Sequence, residues 1–191
     1  MEFVKLSDIA LIGSGQNAPQ DINDYILNGE TFIKVSNLDD ILYDENENKA
    51  CKISMESVLK NKLKKFPKSS IIFAKSGLSC NKNRVYLTKE DSYIVNHLCV
   101  IFNISEIYNP KWLTYFIKFH NVTKYIKDES YPSISLKDIS NIKIPVIDIS
   151  MQNEIVSEIQ KIEQLIKFNQ KDLIHLDNIV KSRFICQEVF A

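Results

Sequence analysis

Glycine is scarce in this chain, with four among 191 residues, Gly13, Gly15, Gly29 and Gly77. None stands in a G-x-G-x-x-G arrangement between a strand and a helix, which argues against a dinucleotide or methyl-donor site built on such a turn. The four cysteines, Cys51, Cys80, Cys99 and Cys186, are widely separated and form no C-x-x-C pair. Reduced thiols are therefore expected rather than a disulfide framework. The three histidines, His97, His120 and His175, share no metal-ligand spacing with each other or with the cysteines, so no metal is expected. No apolar run approaches the roughly 18 residues a membrane span requires. The opening MEFVKLSDIA shows no charged-then-apolar leader. The expectation is a soluble, cytoplasmic protein with no membrane partner. Net charge is also missing, because 24 basic side chains cancel 24 acidic ones.

What is present suffices for a folded protein, with 45% hydrophobic and 10% aromatic residues supplying a core. The length suits one domain of about 150 residues plus an appendage, or two very small domains. Zero net charge hides an asymmetry along the chain. Residues 57–89 hold nine bases and no acid (Lys60, Lys62, Lys64, Lys65, Lys68, Lys75, Lys82, Arg84, Lys89), whereas residues 21–56 hold nine acids against three lysines. The 22 lysines to two arginines, beside 28 isoleucines, fit an AT-rich coding sequence and suggest a low-GC bacterium.

The pattern predicts a strand or short helix over Phe3–Ile12, then a flexible loop to Pro19. A half-buried strand is expected at Thr31–Val35 and a solvated acidic loop at Asp39–Asn48. Ser54 should cap a helix reaching Leu63, with Pro67 as its stop. Ser70–Ala74 should be a short buried strand feeding the polar loop 75–84, with Val85–Leu87 and Tyr93–Asn103 as further strands. Asn109-Pro110 is a helix start, asparagine as cap and proline at the first position, with Trp112, Tyr115, Phe116 and Phe119 on one face. From Ile155 a heptad seam runs through Ile159, Ile162, Ile166, Asn169, Leu173, Leu176 and Val180. Seven of these eight positions are apolar, and Asn169 is the kind of polar residue that fixes register. A helix from Ile149 to Glu188 would be about 60 Å long, too long for a domain of this size to cover, so part of the seam must meet another helix. The expected division is a domain at 1–147 and a helical stalk at 148–191, with a hinge near Pro145–Ser150.

Catalytic readings fare poorly. Asn109-Pro110-Lys111-Trp112 resembles the Asn-Pro-Pro-Tyr site of amino-methyltransferases, but the glycine-rich turn for the methyl donor is missing, and a capped helix start explains the residues. The acids concentrate at 39–47 without the lysine-terminated carboxylate pair of a nuclease. No catalytic residue is expected. The stretch 75–84 instead offers groups of both kinds used on DNA: Lys75, Lys82 and Arg84 for phosphates, and Ser76, Ser79, Asn81 and Asn83 for base edges. Asn96, His97, Tyr131 and Ser133 form a second group of candidates. Gly77 would let the loop turn tightly.

Phe3-Val4, Leu6 and Asp8-Ile9 begin a series that resembles one repeat of the specificity subunit of type I restriction-modification systems (HsdS). It continues through Phe32–Leu38, Phe73-Ala74-Lys75-Ser76-Gly77, Asn96-His97 and Ile134–Pro145, then Gln152–Val156 at the head of a long helix and Lys181-Ser182-Arg183-Phe184 near its end. The resemblance spans essentially the whole chain and rests on the order and spacing of the pieces. It implies an α+β fold, a mixed, mostly-β target-recognition domain with short helices followed by a long C-terminal coiled-coil-forming α-helix. It further implies a non-enzymatic subunit that binds double-stranded DNA and directs a modification (methyltransferase) subunit, with a restriction subunit where the system has one. The methyl donor would sit on that partner, leaving no cofactor here. Two repeats are usual in that family and one is present, so the resemblance also implies pairing with a second copy through the seam, hence an interrupted palindrome as target. The alternatives are the detached recognition portion of a combined restriction-methylation enzyme and a coiled-coil scaffold whose head binds protein.

Overall fold

The computed structural model describes residues 2–189, with side chains through Ser182. Cys186 and the Arg183 and Phe184 side chains of the closing motif lie outside the described side chains, as do the last two residues of the expected stalk. The chain forms two compact units, Met1–Ile149 and Ser150–Ala191. In the first, the order is β1 (Phe3–Lys5), α1 (Leu6–Ile9), β2 (Leu11–Ser14), β3 (Tyr25–Ile33), α2 (Leu38–Asp44), β4 (Cys51–Ile53), α3 (Met55–Lys60), β5 (Ile71–Ala74), β6 (Val85–Leu87), β7 (Tyr93–Ile94), β8 (Leu98–Phe102), α4 (Pro110–His120), α5 (Leu136–Ser140) and β9 (Lys143–Pro145). The sheets run β1-β9, β2-β8-β5-β6 and β4-β3-β7. All pairings are antiparallel except β3 with β7. The α+β class is as expected.

Several elements follow from local chemistry. Ser54 caps α3 by accepting from the Ser57 amide at 3.1 Å, and Asn109 caps α4 through the amides of Lys111 and Trp112 at 2.8 and 3.2 Å. Strand β5 is buried at every residue, so both faces of its sheet are covered. One core joins Ile72 and Ala74 of β5 to Phe32 and Ile33 of β3, Leu38 and Ile41 of α2, Ile53, Ile94 and Val100. Four rings stack in a row at i, i+4 spacing, Tyr108, Trp112, Phe116 and His120, with centroids 5.6 to 6.1 Å apart. Burial, with Lys124 nearby, holds His120 below the usual imidazole range, consistent with a neutral ring hydrogen-bonded to the Tyr125 hydroxyl at 2.8 Å.

Six local expectations are corrected. The opening segment is both strand and one-turn helix, β1 and α1, with β2 running into Gly13-Ser14. Residues 38–44 are helical rather than a solvated loop: Leu38 and Ile41 lie one turn apart and are fully buried, while Asp39 and Asp40 sit in the first turn, where carboxylates suit the helix dipole. Strand β3 is not half-buried at its end: the successive residues Phe32 and Ile33 point to opposite faces and both are fully buried, so both faces are covered there. Helix α3 ends at Lys60, well before Pro67, since Lys62 takes a left-handed φ of 50°. The segment 93–103 is two strands in different sheets, broken by a turn at 96–97. On α4 the buried residues are Trp112, Leu113, Thr114 and Ile117, and Phe119 is 90% exposed.

The second unit is the helix α6 (Ile149–Val189), 41 residues and so about 60 Å long. Along the seam Ile162, Ile166, Leu173, Leu176 and Val180 are each more than half exposed. Ile155 and Ile159 are half-buried, and Asn169 is exposed. Among the described residues no helix is long and apolar enough to cross a membrane.

Candidate nucleic-acid interface

The linear charge asymmetry is partly cancelled in three dimensions. Lys60 lies 3.9 Å from Asp24, Lys65 pairs with Glu30, and Lys82 and Arg84 both reach Asp39, at 3.7 and 2.7 Å. The acidic first half thus neutralises four of the nine bases of the second. Among the described residues Lys62, Lys64, Lys68, Lys75 and Lys89 have no such carboxylate partner.

This sorts the residues predicted for DNA. Arg84 is drawn into the fold, its side chain only 9% exposed and its guanidinium on Asp39. That contact, the Arg84 hydrogen bond above all, holds the Asp39 carboxyl below its usual range. Asn83 takes a left-handed φ of 44° and donates its amide to the Lys118 carbonyl at 2.9 Å, tying the loop to α4. Ser79 and Asn81 ride on the short 3-10 segment Leu78–Lys82, Asn81 exposed and Ser79 half-buried. Arg84→Ala should therefore act on stability, costing about 1–3 kcal/mol for the lost charged hydrogen bond. A lower thermal midpoint with unchanged DNA affinity in the cold is expected. Unchanged stability with lost affinity would put the guanidinium on DNA.

Lys75, Ser76, His97, Tyr131 and Ser133 are brought together. Lys75 donates its backbone amide to the His97 carbonyl at 2.9 Å and accepts from the Ile134 amide at 2.8 Å. Ser76 and Ser133 form a lone antiparallel bridge, and the Gly77 amide donates to Pro132 at 2.9 Å from a φ of 78° that glycine tolerates. The Ser76 hydroxyl lies 2.7 Å from His97 Nδ1, which leaves Nε2 facing outward on an exposed ring. Tyr131, next to Pro132, is 72% exposed. A strand end, a turn and a loop thus present hydroxyls, an imidazole and a phenol on one rigid backbone.

Asn96 extends this surface in a direction sequence reasoning missed. Its amide donates to Asn17 Oδ1 at 2.6 Å, at the border of an open cleft of about 450 Å³ that Gln16, Asn17, Asn61 and Asn96 line. The Gln16 amide grips the backbone on the other side, donating to the Lys62 carbonyl at 3.1 Å and accepting from the Lys64 amide. Gln16 thereby holds the backbone of two of the bases that have no carboxylate partner. The run Gly15-Gln16-Asn17, polar residues after a glycine, was the only local signal.

Nothing in this arrangement favours thiol or metal chemistry. Burial pushes the Cys80 thiol up to about 11 and Cys99 further still, so both stay protonated. Among the described residues no three His, Cys, Asp or Glu side chains cluster as a metal site.

Comparison with known proteins places this surface in context. The family model described as type I restriction modification DNA specificity domain matches residues 1–178. The specificity subunit of the type I restriction enzyme MjaIX of Methanocaldococcus jannaschii is 28% identical over 183 residues, 93% of this chain and 41% of that protein. The chain thus spans about two fifths of the curated relative it matches. Among solved structures, a chain of a type I R-M system studied for complex assembly and conformational transition superposes with a TM-score of 0.68 at 17% identity, covering 87% of this chain and 39% of that one. The HsdS subunit from Thermoanaerobacter tengcongensis superposes with a TM-score of 0.63 at 16% identity, covering 87% and 38%.

Proposed function

The chain belongs to the family of type I restriction modification DNA specificity domains, and from that premise we propose that it is the non-catalytic DNA-reading subunit of such a system. The head binds double-stranded DNA through the surface around Lys75, Ser76, Asn96, His97, Tyr131 and Ser133. A partner modification subunit carries the methyl donor and the adenine-N6 chemistry, so this chain needs no cofactor, and a restriction subunit joins where the system encodes one. The complex works in the cytoplasm, where its DNA is. One observation carries the reading further than the family does: the seam of α6 exposes Ile162, Ile166, Leu173, Leu176 and Val180 along one heptad register. An equivalent helix from a second copy covers it, and a two-fold pair of heads then reads inverted half-sites at fixed spacing.

The test is to co-express the chain with its modification subunit in a methylation-free host and map methyladenine across the host DNA. An interrupted palindrome is expected. An asymmetric methylated site would overturn the homodimer, and a recovered complex that methylates nothing would overturn the specificity role.

A further inference from the structure

Resting on the DNA-reading role above, we propose that the Asn17–Asn96 side-chain pair is a preassembled reader of one adenine edge in the major groove, with Lys62 and Lys64 on the adjacent phosphates.

The pair is built rather than incidental. Beyond β2, residues 15–17 run against residues 94–96 so closely that a Cβ on Gly15 would lie 2.1 Å from the Ile94 carbonyl oxygen. Only glycine permits this approach. Gln16 donates its backbone amide to Ile94 at 2.8 Å, the Asn96 amide returns to Gln16 at 2.8 Å, and the Ser14 hydroxyl donates to the Asn96 carbonyl at 3.1 Å. Both asparagines therefore stand on backbone that is fixed before DNA arrives.

Their side chains use one hydrogen bond on each other, Asn96 Nδ2 to Asn17 Oδ1 at 2.6 Å. That leaves the Asn17 amino group and the Asn96 carbonyl oxygen facing solvent. If both amides were set the other way round, one amino group and one carbonyl would still face out. The pair thus always offers one donor beside one acceptor. Of the four bases, only adenine presents the complement in the major groove, with N7 accepting and the N6 amino group donating. Guanine offers two acceptors, cytosine a donor, and thymine an acceptor beside a methyl group. The Gln16 side chain is bonded to the backbone of both Lys62 and Lys64, which fixes two lysines without a carboxylate partner on the chain next to Asn61 and Leu63 of the cleft lining, within side-chain reach of phosphates beside a read base.

The experiment measures binding of the complex of this chain with its modification subunit to its mapped site, replacing each adenine in turn by 7-deazaadenine, which has no N7 acceptor. Wild type should lose roughly 5- to 150-fold in affinity at one adenine, as for a bidentate base contact. Asn17→Ala should lose affinity for the unmodified site and become indifferent to the substitution there, while keeping its response elsewhere. Asn17→Asp, a near-isosteric change that replaces the donor by an acceptor, should disfavour that adenine further. Lys62→Ala and Lys64→Ala should each weaken binding on all sequences and lower the salt slope by about one. Sequence-specific binding in which Asn17→Ala responds to every 7-deazaadenine as wild type does would overturn this assignment and leave the DNA-reading role standing. A complex with no salt-dependent DNA binding at all would overturn both.

Discussion

Replacing Ile166 and Leu173 together by aspartate is expected to leave the chain monomeric and its complex without methylation activity. Both side chains lie on the α6 seam, 51% and 66% exposed, so the single chain loses nothing when they change. In a two-fold pair the same positions are covered twice over, once from each copy. At the low end of about 1.5 kcal/mol per buried aliphatic side chain, four of them come to about 6 kcal/mol, and four buried carboxylates oppose pairing further. The dissociation constant should rise by at least about 10⁴-fold. Sedimentation or light scattering reads the mass, and circular dichroism of the same sample checks that the head stays folded. A variant that stays dimeric with unchanged affinity would remove α6 as the pairing element. Asn169→Leu is the complementary case: a polar residue in a seam specifies partner number at a cost in stability, so its removal should tighten association and loosen the choice of oligomer.

What was legible in the sequence was local. Ser54, Asn109-Pro110 and the apolar run at 71–74 act within a few residues of themselves, and each element lies where its cap or run predicts. The seam is equally local, because heptad spacing is a property of one helix. What was illegible depended on partners far along the chain. Leu38 and Ile41 make a buried helix face, yet four acids between 39 and 45 make the same stretch read as solvated loop. Segment 93–103 has the composition of one strand, and it divides because its first half pairs in parallel with β3 while its second half pairs with β2 and β5. The lysine-rich stretch illustrates the same limit at the candidate site. Lys82 and Arg84 meet Asp39, over 40 residues away in sequence, and so the strongest-looking phosphate contacts are partly spent inside the protein. Asn17, 79 positions from Asn96, gave no sign of its partner.

The dependence of the site on distant packing can be measured directly by Phe32→Ala. Phe32 is fully buried in the core that joins β3, α2 and β5, and truncating a core phenylalanine costs about 3–5 kcal/mol. For a domain whose total stability is roughly 5–15 kcal/mol, that is a large part of the whole. A marked fall in the urea midpoint is expected. The effect should also reach the surface proposed to read DNA by a short route. Phe32 and Ile33 pair in parallel with Tyr93 and Ile94, and the Val95 amide donates to Ile33 at 3.0 Å. The next two residues are Asn96 and His97, so β3 is the support on which both stand. Under conditions where the variant remains folded, amide exchange at 95–98 should speed up and sequence discrimination should fall, while the salt slope set by Lys62, Lys64 and Lys75 changes little. Phe73→Ala provides the contrast, because Phe73 projects from the opposite face of β5 to Ile72 and Ala74. It should cost comparable stability and weigh more on the 75–77 turn than on Asn96. Equal losses at both sites in both variants would mean that the head yields as one unit, with no separate support for each part of the surface.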